Sequence, residues 1–372
     1  MPEHLPPELV DLRDRIDVLC RDRLVPLADD DGLSADDRDA AVRAASKEAG
    51  LFTMTQPADL GGTAAGPLAL TVARDTLGRH NVGHLRGLFG PSPGALADVG
   101  EPLRSGFLAP FMAGEKRAGF AFTEPDAAPR HTWAALDGEE LVINGQKSYV
   151  TGGGDADFLN TLVEVDEVGP AMVVIETDRA GVELVRRFGT LDGSHHAAFT
   201  FSDVRVPRRQ LIGEAGSGMR VAMSTVTRVR MGMAADCVGL CRFVAEHLSS
   251  YLQRPHRSGQ PLGALERNRL RYGDVRAKAY GVRAMLYRTA RLMEAGDPAV
   301  NEAMATKLLA TETVGELVDS AIQIVGGQAL SDDHPLSATH RRVRALRLAE
   351  GASDVLRLNL ARGDLDLGLG RI

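Results

Sequence analysis

The chain has 372 residues and a formal net charge of −7, with 44% hydrophobic, 25% charged and 5% aromatic residues, a globular composition with room for a large core in two or three domains. No apolar run reaches the ~18 residues that a membrane-crossing helix needs, and the overall acidity argues against a nucleic-acid partner. Three cysteines, Cys20, Cys237 and Cys241, make neither a disulfide framework nor a zinc site, so no metal is expected and a reducing, cytoplasmic setting fits.

The N-terminus is acidic and lacks the apolar stretch of a signal peptide. Residues 1–120 read as helical. Leu9, Leu12, Ile16 and Leu19 share one face, Ser34 caps a second helix with Asp37 three residues on, Gly50 closes that helix, and a third runs through LALTVARDTLG. Residues 121–212 read as a small β-barrel-like domain. Asp137-Gly138 and Asn144-Gly145 are hairpin dipeptides, and β-branched runs such as AMVVIET and AAFTFSDVRV follow, with Pro207 ending the last. Residues 213–372 return to longer helices. Met231, Ala234, Ala235, Val238, Cys241, Ala245, Leu248 and Leu252 hold one face for several turns. Further helices run through Val282–Met293, from Ala310 to a stop at Gly326-Gly327, and over about 351–363. The expected fold is α+β, mainly α: an N-terminal helical domain, a middle β domain and a C-terminal four-helix bundle.

Charge is uneven along this layout. Residues 1–120 sum to −5, 121–210 to −7 and 211–372 to +5, and all but five of the 43 basic residues are arginines. A basic region on an acidic chain predicts an anionic partner. The glycines of GEAGSGMR and the run at 152–154 have neither a dinucleotide fingerprint nor a phosphate-loop ending, and read as turns.

Five segments occur in a telling order: AFTEPDAA (121–128), NGQKSYVTGGGDAD (144–157), VRVPRRQLIGEAGSGM (204–219), QIVGGQAL (323–330) and AEGASDVLRLNLAR (349–362). Together with QPADLGG (56–62), they resemble the acyl-CoA dehydrogenase family over nearly the whole chain. The resemblance implies an FAD-dependent oxidation of an acyl thioester to its enoyl thioester. A carboxylate removes the α-proton, the β-hydrogen leaves as hydride to the flavin, and an electron-transferring flavoprotein or similar acceptor takes the electrons. It implies a homodimer or homotetramer.

By the same resemblance Glu350, in AEGAS, is the base; as a bare feature it is an acidic residue favoured at a helix N-terminus. Gly351 and Arg230 are implied on the substrate side. Phe120, Phe122 and Thr123 lie along the flavin edge. Tyr149 covers the ring, in the place of a family tryptophan, and Thr151 bonds it. Gln323, Gly326 and Gly327 approach the dinucleotide end, usually of a neighbouring protomer's FAD, and Ala352 and Asp354 are grouped with the cofactor contacts.

The chain departs from the family on the phosphate side. Ala128-Pro129-Arg130 replaces Gly-Ser-Asp after Thr-Glu-Pro. Where an Arg-x-x-Phe-Gly motif is expected, Pro255 and Ser258 hold the Arg and Phe positions. Ala349 and Ala352 flank the base, and Thr227 replaces an Asp three residues before Arg230. Two substrates are therefore open: an acyl-CoA, or an acyl chain on an acidic carrier protein met by Arg254, Arg257, Arg267, Arg269, Arg271 or by Arg341, Arg342, Arg344, Arg347. The alternatives are a non-catalytic subunit of a heterotetramer and a flavin monooxygenase on the same fold. Glu350 argues against both.

Overall fold

The computed structural model describes residues 4–257, 259–368 and 372. In chain order the helices are α1 (Pro7–Leu19), α2 (Val25–Asp29), α3 (Ala35–Glu48), α4 (Pro67–Arg79), α5 (Ala109–Ala113), α6 (Gly218–Gln253), α7 (Glu266–Glu294), α8 (Val300–Val325), α9 (Pro335–Leu346) and α10 (Ser353–Leu365). The strands are β1 (Ala118–Ala121), β2 (Trp133–Asp137), β3 (Glu140–Thr151), β4 (Phe158–Val165), β5 (Gly169–Glu176), β6 (Val182–Gly189), β7 (His195–Pro207) and β8 (Leu211–Ile212). Two compact units result: a helical one from Met1–Met54, Ala65–Phe89 and Thr227–Ile372, and a β unit from Thr55–Ala64 and Gly90–Val226. The division at 120 and 212 follows the change of secondary structure along the chain; the units follow packing, and so cut the chain differently.

In the helical unit, the face predicted on α6 is buried. Ala234, Ala235, Cys237, Val238, Cys241 and Leu248 are fully covered, and they pack with Leu286 of α7 and with Ala310, Val314 and Ala321 of α8. Both helix cysteines are therefore packing residues. The Ser34 hydroxyl accepts from the Asp37 N–H at 3.1 Å, the predicted cap, and Gly50 takes φ +76 where the chain leaves α3. Helix α9 lies in a stretch for which the sequence reading drew no helix. Among the described residues, no helix is long and apolar enough to cross a membrane.

The β unit is one eight-stranded mixed sheet in the order β6-β7-β3-β2-β4-β5-β8, with β1 parallel to β4. Strand β5 is buried on both faces: Ala171, Val173 and Ile175 face one apolar cluster, while Met172 and Val174 face another with Phe107, Leu108 and Met112. That is why its sequence is continuously apolar. Asp137-Gly138 turns the β2–β3 hairpin, as predicted. Asn144-Gly145 does not turn a hairpin. It lies inside β3 at a register shift, where Gly145 takes φ +143 and a Cβ would stand 2.6 Å from Thr132 Cα. The glycine admits a crossing backbone, which a dipeptide pattern cannot distinguish from a turn.

Candidate active site

The helical unit gathers three charged side chains at the turn that starts α10. Glu350 sits at φ +54 and Gly351 at φ +100, two consecutive residues in the left-handed region. For a glutamate this conformation costs about 1–3 kcal/mol, so the surroundings must hold it. They do so through the carbonyls. Arg230, on α6 and 6% exposed, donates from Nε to the Glu350 carbonyl at 2.9 Å. Lys307, on α8 and fully buried, donates from Nζ to the Gly351 carbonyl at 2.8 Å. The Ser353 N–H closes the turn onto the Arg347 carbonyl at 2.9 Å.

Burial pushes the Glu350 carboxyl above the usual carboxylate range, opposed by Arg230 and Lys307. Burial likewise lowers the Lys307 ammonium to about 8 and lowers Arg230. A half-buried carboxylate, with its basicity raised and two cations limiting the rise, is suited to taking a proton from carbon.

The β unit gathers the aromatic residues. Strand β1 leads into Phe122 and Thr123, and this segment is pinned to β3 twice: the Ser148 N–H donates to the Thr123 carbonyl at 2.8 Å and Lys147 Nζ to the Phe122 carbonyl at 3.0 Å. Lys147 is buried and paired with Glu124 at 2.5 Å. Burial pushes the Glu124 carboxyl up, but hydrogen bonds from Lys147 and His131 outweigh it and hold it below the usual range. The Phe120 and Phe122 rings stack with centroids 5.9 Å apart. Tyr149 is 60% exposed at φ +54, edge-on to Phe188 and near His196, and the Thr151 hydroxyl is 3.2 Å from His196 Nδ1. An exposed aromatic ring held in a strained backbone, beside hydroxyls, is a ready platform for a planar ligand with polar edges.

The structure thus brings Glu350, Gly351 and Arg230 together in one unit, and Phe120, Phe122, Thr123, Tyr149 and Thr151 together in the other. Ala352 is the residue before α10. Asp354 points to solvent and pairs with Arg357. Gln323, Gly326 and Gly327 are exposed at the far end of α8, about 24 Å along the helix from Lys307, with open space where Cβ atoms of the two glycines would stand. Much of the arginine is spent internally: Arg342 donates to Asn81, Arg341 pairs with Asp332 and Arg347 with Glu312, whereas Arg254, Arg257, Arg267, Arg269 and Arg271 are exposed. Ser258 lies outside the described residues.

Sequence reasoning missed Lys147 and Lys307 as site residues. For Lys307 a signal existed. The α8 face through Ala310, Val314 and Leu317 extends back by helical spacing to Lys307 and Ala303, so a lysine stands on a buried stripe.

The family model described as "Acyl-CoA dehydrogenase, C-terminal domain" matches residues 216–365. Human mitochondrial short-chain specific acyl-CoA dehydrogenase is 27% identical over 84% of this chain and 79% of its own. Acryloyl-CoA reductase (NADH) of Anaerotignum propionicum is 27% identical over 85% of this chain and 84% of its own. Among solved structures, glutaryl-CoA dehydrogenase from Mycobacterium smegmatis superposes with a TM-score of 0.83 at 19% identity, over 99% of this chain and 96% of that one. Residues 216–365 thus match the C-terminal domain of acyl-CoA dehydrogenases, and most of the chain is similar to members of that family, which are oxidoreductases acting on CH–CH groups.

Proposed function

We propose that this protein oxidises the Cα–Cβ bond of an acyl-CoA thioester, with Glu350 as the base and FAD as cofactor. The observation that carries the reading is the half-buried Glu350 carboxylate on a strained turn clamped by Arg230 and Lys307. The β-unit residues fit a flavin: Tyr149 is an exposed ring that can cover it, Phe120 and Phe122 line the edge segment, and the Thr123 and Thr151 hydroxyls can meet its polar rim. Bound there, FAD supplies a two-electron acceptor for the β-hydrogen.

Glu350 takes the α-proton onto its carboxylate, and the C–H pair it releases becomes the new carbon–carbon double bond as the β-hydrogen leaves with its electrons. The Glu350 N–H bonds the thioester carbonyl, where negative charge develops, a contribution worth several kcal/mol in such sites. An electron-transferring flavoprotein or similar acceptor takes the electrons onward. The exposed Gln323–Gly327 turn serves a neighbouring protomer in a homodimer or homotetramer.

The test is anaerobic flavin bleaching with matched panels of acyl-CoA and acyl-carrier-protein thioesters. The purified protein is expected to carry one flavin per chain, and Glu350→Gln to keep the flavin while losing bleaching by at least about 1000-fold, as expected when a positioned base is removed from such a step. Unchanged bleaching in that variant would refute the assignment. Bleaching by the carrier-bound thioesters alone would move the substrate to a carrier protein.

A further inference from the structure

Lys307 is one of five lysines among 43 basic residues, and with Lys147 one of two that are buried. Its side chain starts on α8, and its ammonium reaches the turn that carries Glu350. Burying a cation is unfavourable unless something is gained by it. The α10 helix does not need it, because the Ser353 N–H to Arg347 carbonyl bond already closes the turn. What Lys307 does hold is the Gly351 carbonyl, next to the Glu350 carbonyl held by Arg230. Two cations from two helices grip two successive carbonyls of a turn that an unconstrained chain would leave.

We propose that Lys307 is a positioning residue for the base. Through the Gly351 carbonyl it fixes the Glu350–Gly351 turn, and so sets where the Glu350 carboxyl stands and how readily it accepts a proton. This inference rests on the reading of Glu350 as the base. A lysine suits the task where this arginine-rich chain would ordinarily place an arginine. A compact ammonium on an unbranched stem reaches one carbonyl within a packed helix interface, whereas a planar guanidinium needs more room and several acceptors.

The charged and titratable groups around it are Cys237 and Arg230 on α6, Glu350 on the turn and Glu312 on α8 itself. Arg230 and Lys307 both favour the ionised Glu350, against burial. Without Lys307, burial is opposed by Arg230 alone, so Glu350 holds its proton to higher pH and the acid limb of the rate moves up.

The experiment compares the unaltered holoprotein with Lys307→Met and Lys307→Arg. The readouts are flavin content, thermal midpoint, and anaerobic bleaching by butyryl-CoA, or by the fastest thioester of the CoA panel, across a pH series. Lys307→Met is expected to keep one flavin per chain, the same half-saturating thioester concentration and a thermal midpoint no lower than the parent's, because the buried charge is gone. Its limiting bleaching rate falls about 100-fold, the scale of an ångström's misplacement, and its acid limb moves to higher pH. Lys307→Arg restores the acid limb but not the rate.

Bleaching by Lys307→Met within threefold of the parent, with the acid limb in place, overturns the proposal while leaving the base reading standing. Loss of flavin and a lower thermal midpoint in both variants also overturns it, since Lys307 would then serve the fold alone. An unaltered holoprotein that no thioester bleaches removes the base reading and this one with it.

Discussion

At Gly351 the backbone and a neighbouring side chain impose the same requirement. Its φ of +100 is strained for any L side chain, and a Cβ there would lie 3.0 Å from Leu356 Cδ2 and 3.2 Å from Arg230 Nη2. Gly351→Ala therefore has two ways to relax: rotate the turn, which moves Glu350, or push Arg230 off the Glu350 carbonyl. Either displaces Glu350, the proposed base, so bleaching is expected to slow by about 10–100-fold while flavin content holds, because the aromatic residues proposed to meet the flavin lie in the other unit. A parental bleaching rate in this variant would show that the turn tolerates movement. The residue scale also marks how far the sequence could be read. Glu350 stands out through its segment, and Lys307 through a helical stripe. Their connection does not, because it runs from an ammonium to a backbone carbonyl 44 residues away, and carbonyls leave no mark on a sequence.

Between elements, the close crossing of α4 and α6 depends on two facing glycines. A Cβ on Gly239 would stand 2.5 Å from the Asp75 carbonyl oxygen and 2.7 Å from Gly78 Cα, and one on Gly78 would stand 2.8 Å from the Asp236 carbonyl oxygen. The obstacles are backbone and cannot swing aside. Gly239→Val must force the helices apart, costing about 1–3 kcal/mol or more, and should lower the thermal midpoint measured by ellipticity. A midpoint equal to the parent's would mean the helices pack farther apart than described. Periodicity identified both helices, since their apolar faces repeat at 3.6, and the Ser34 cap and Asp137-Gly138 turn were legible because each signals through neighbours in sequence. Gly78 and Gly239 were not legible as a pair. Their meaning depends on which helices cross and at what height, information held in packing. The same limit explains why Asn144-Gly145 read as a turn.

On the scale of the whole molecule, the basic excess of 211–372 pointed to an anionic partner, but part of the arginine there meets anions of this chain. A sequence records charges without their pairings. The deepest case is Asp75 on α4, fully buried. Its carboxylate accepts from Arg242 of α6 at 2.9 Å, and from Arg283 and Tyr287 of α7 at 3.1 and 2.8 Å. Asp75→Ala takes this counterion from two largely buried guanidinium groups, a change worth about 3–5 kcal/mol, or on the order of 10 °C in the midpoint of a unit this size. The two units report separately: ellipticity is dominated by the helical unit, whereas the single tryptophan, Trp133 on β2, reports the β unit. Every partner of the Asp75 carboxylate lies in the helical unit, so the ellipticity midpoint should fall by that amount and the Trp133 fluorescence midpoint by less. Equal shifts in the two signals would show the units melting as one, and no shift in either would mean the arginines find other partners when Asp75 is gone.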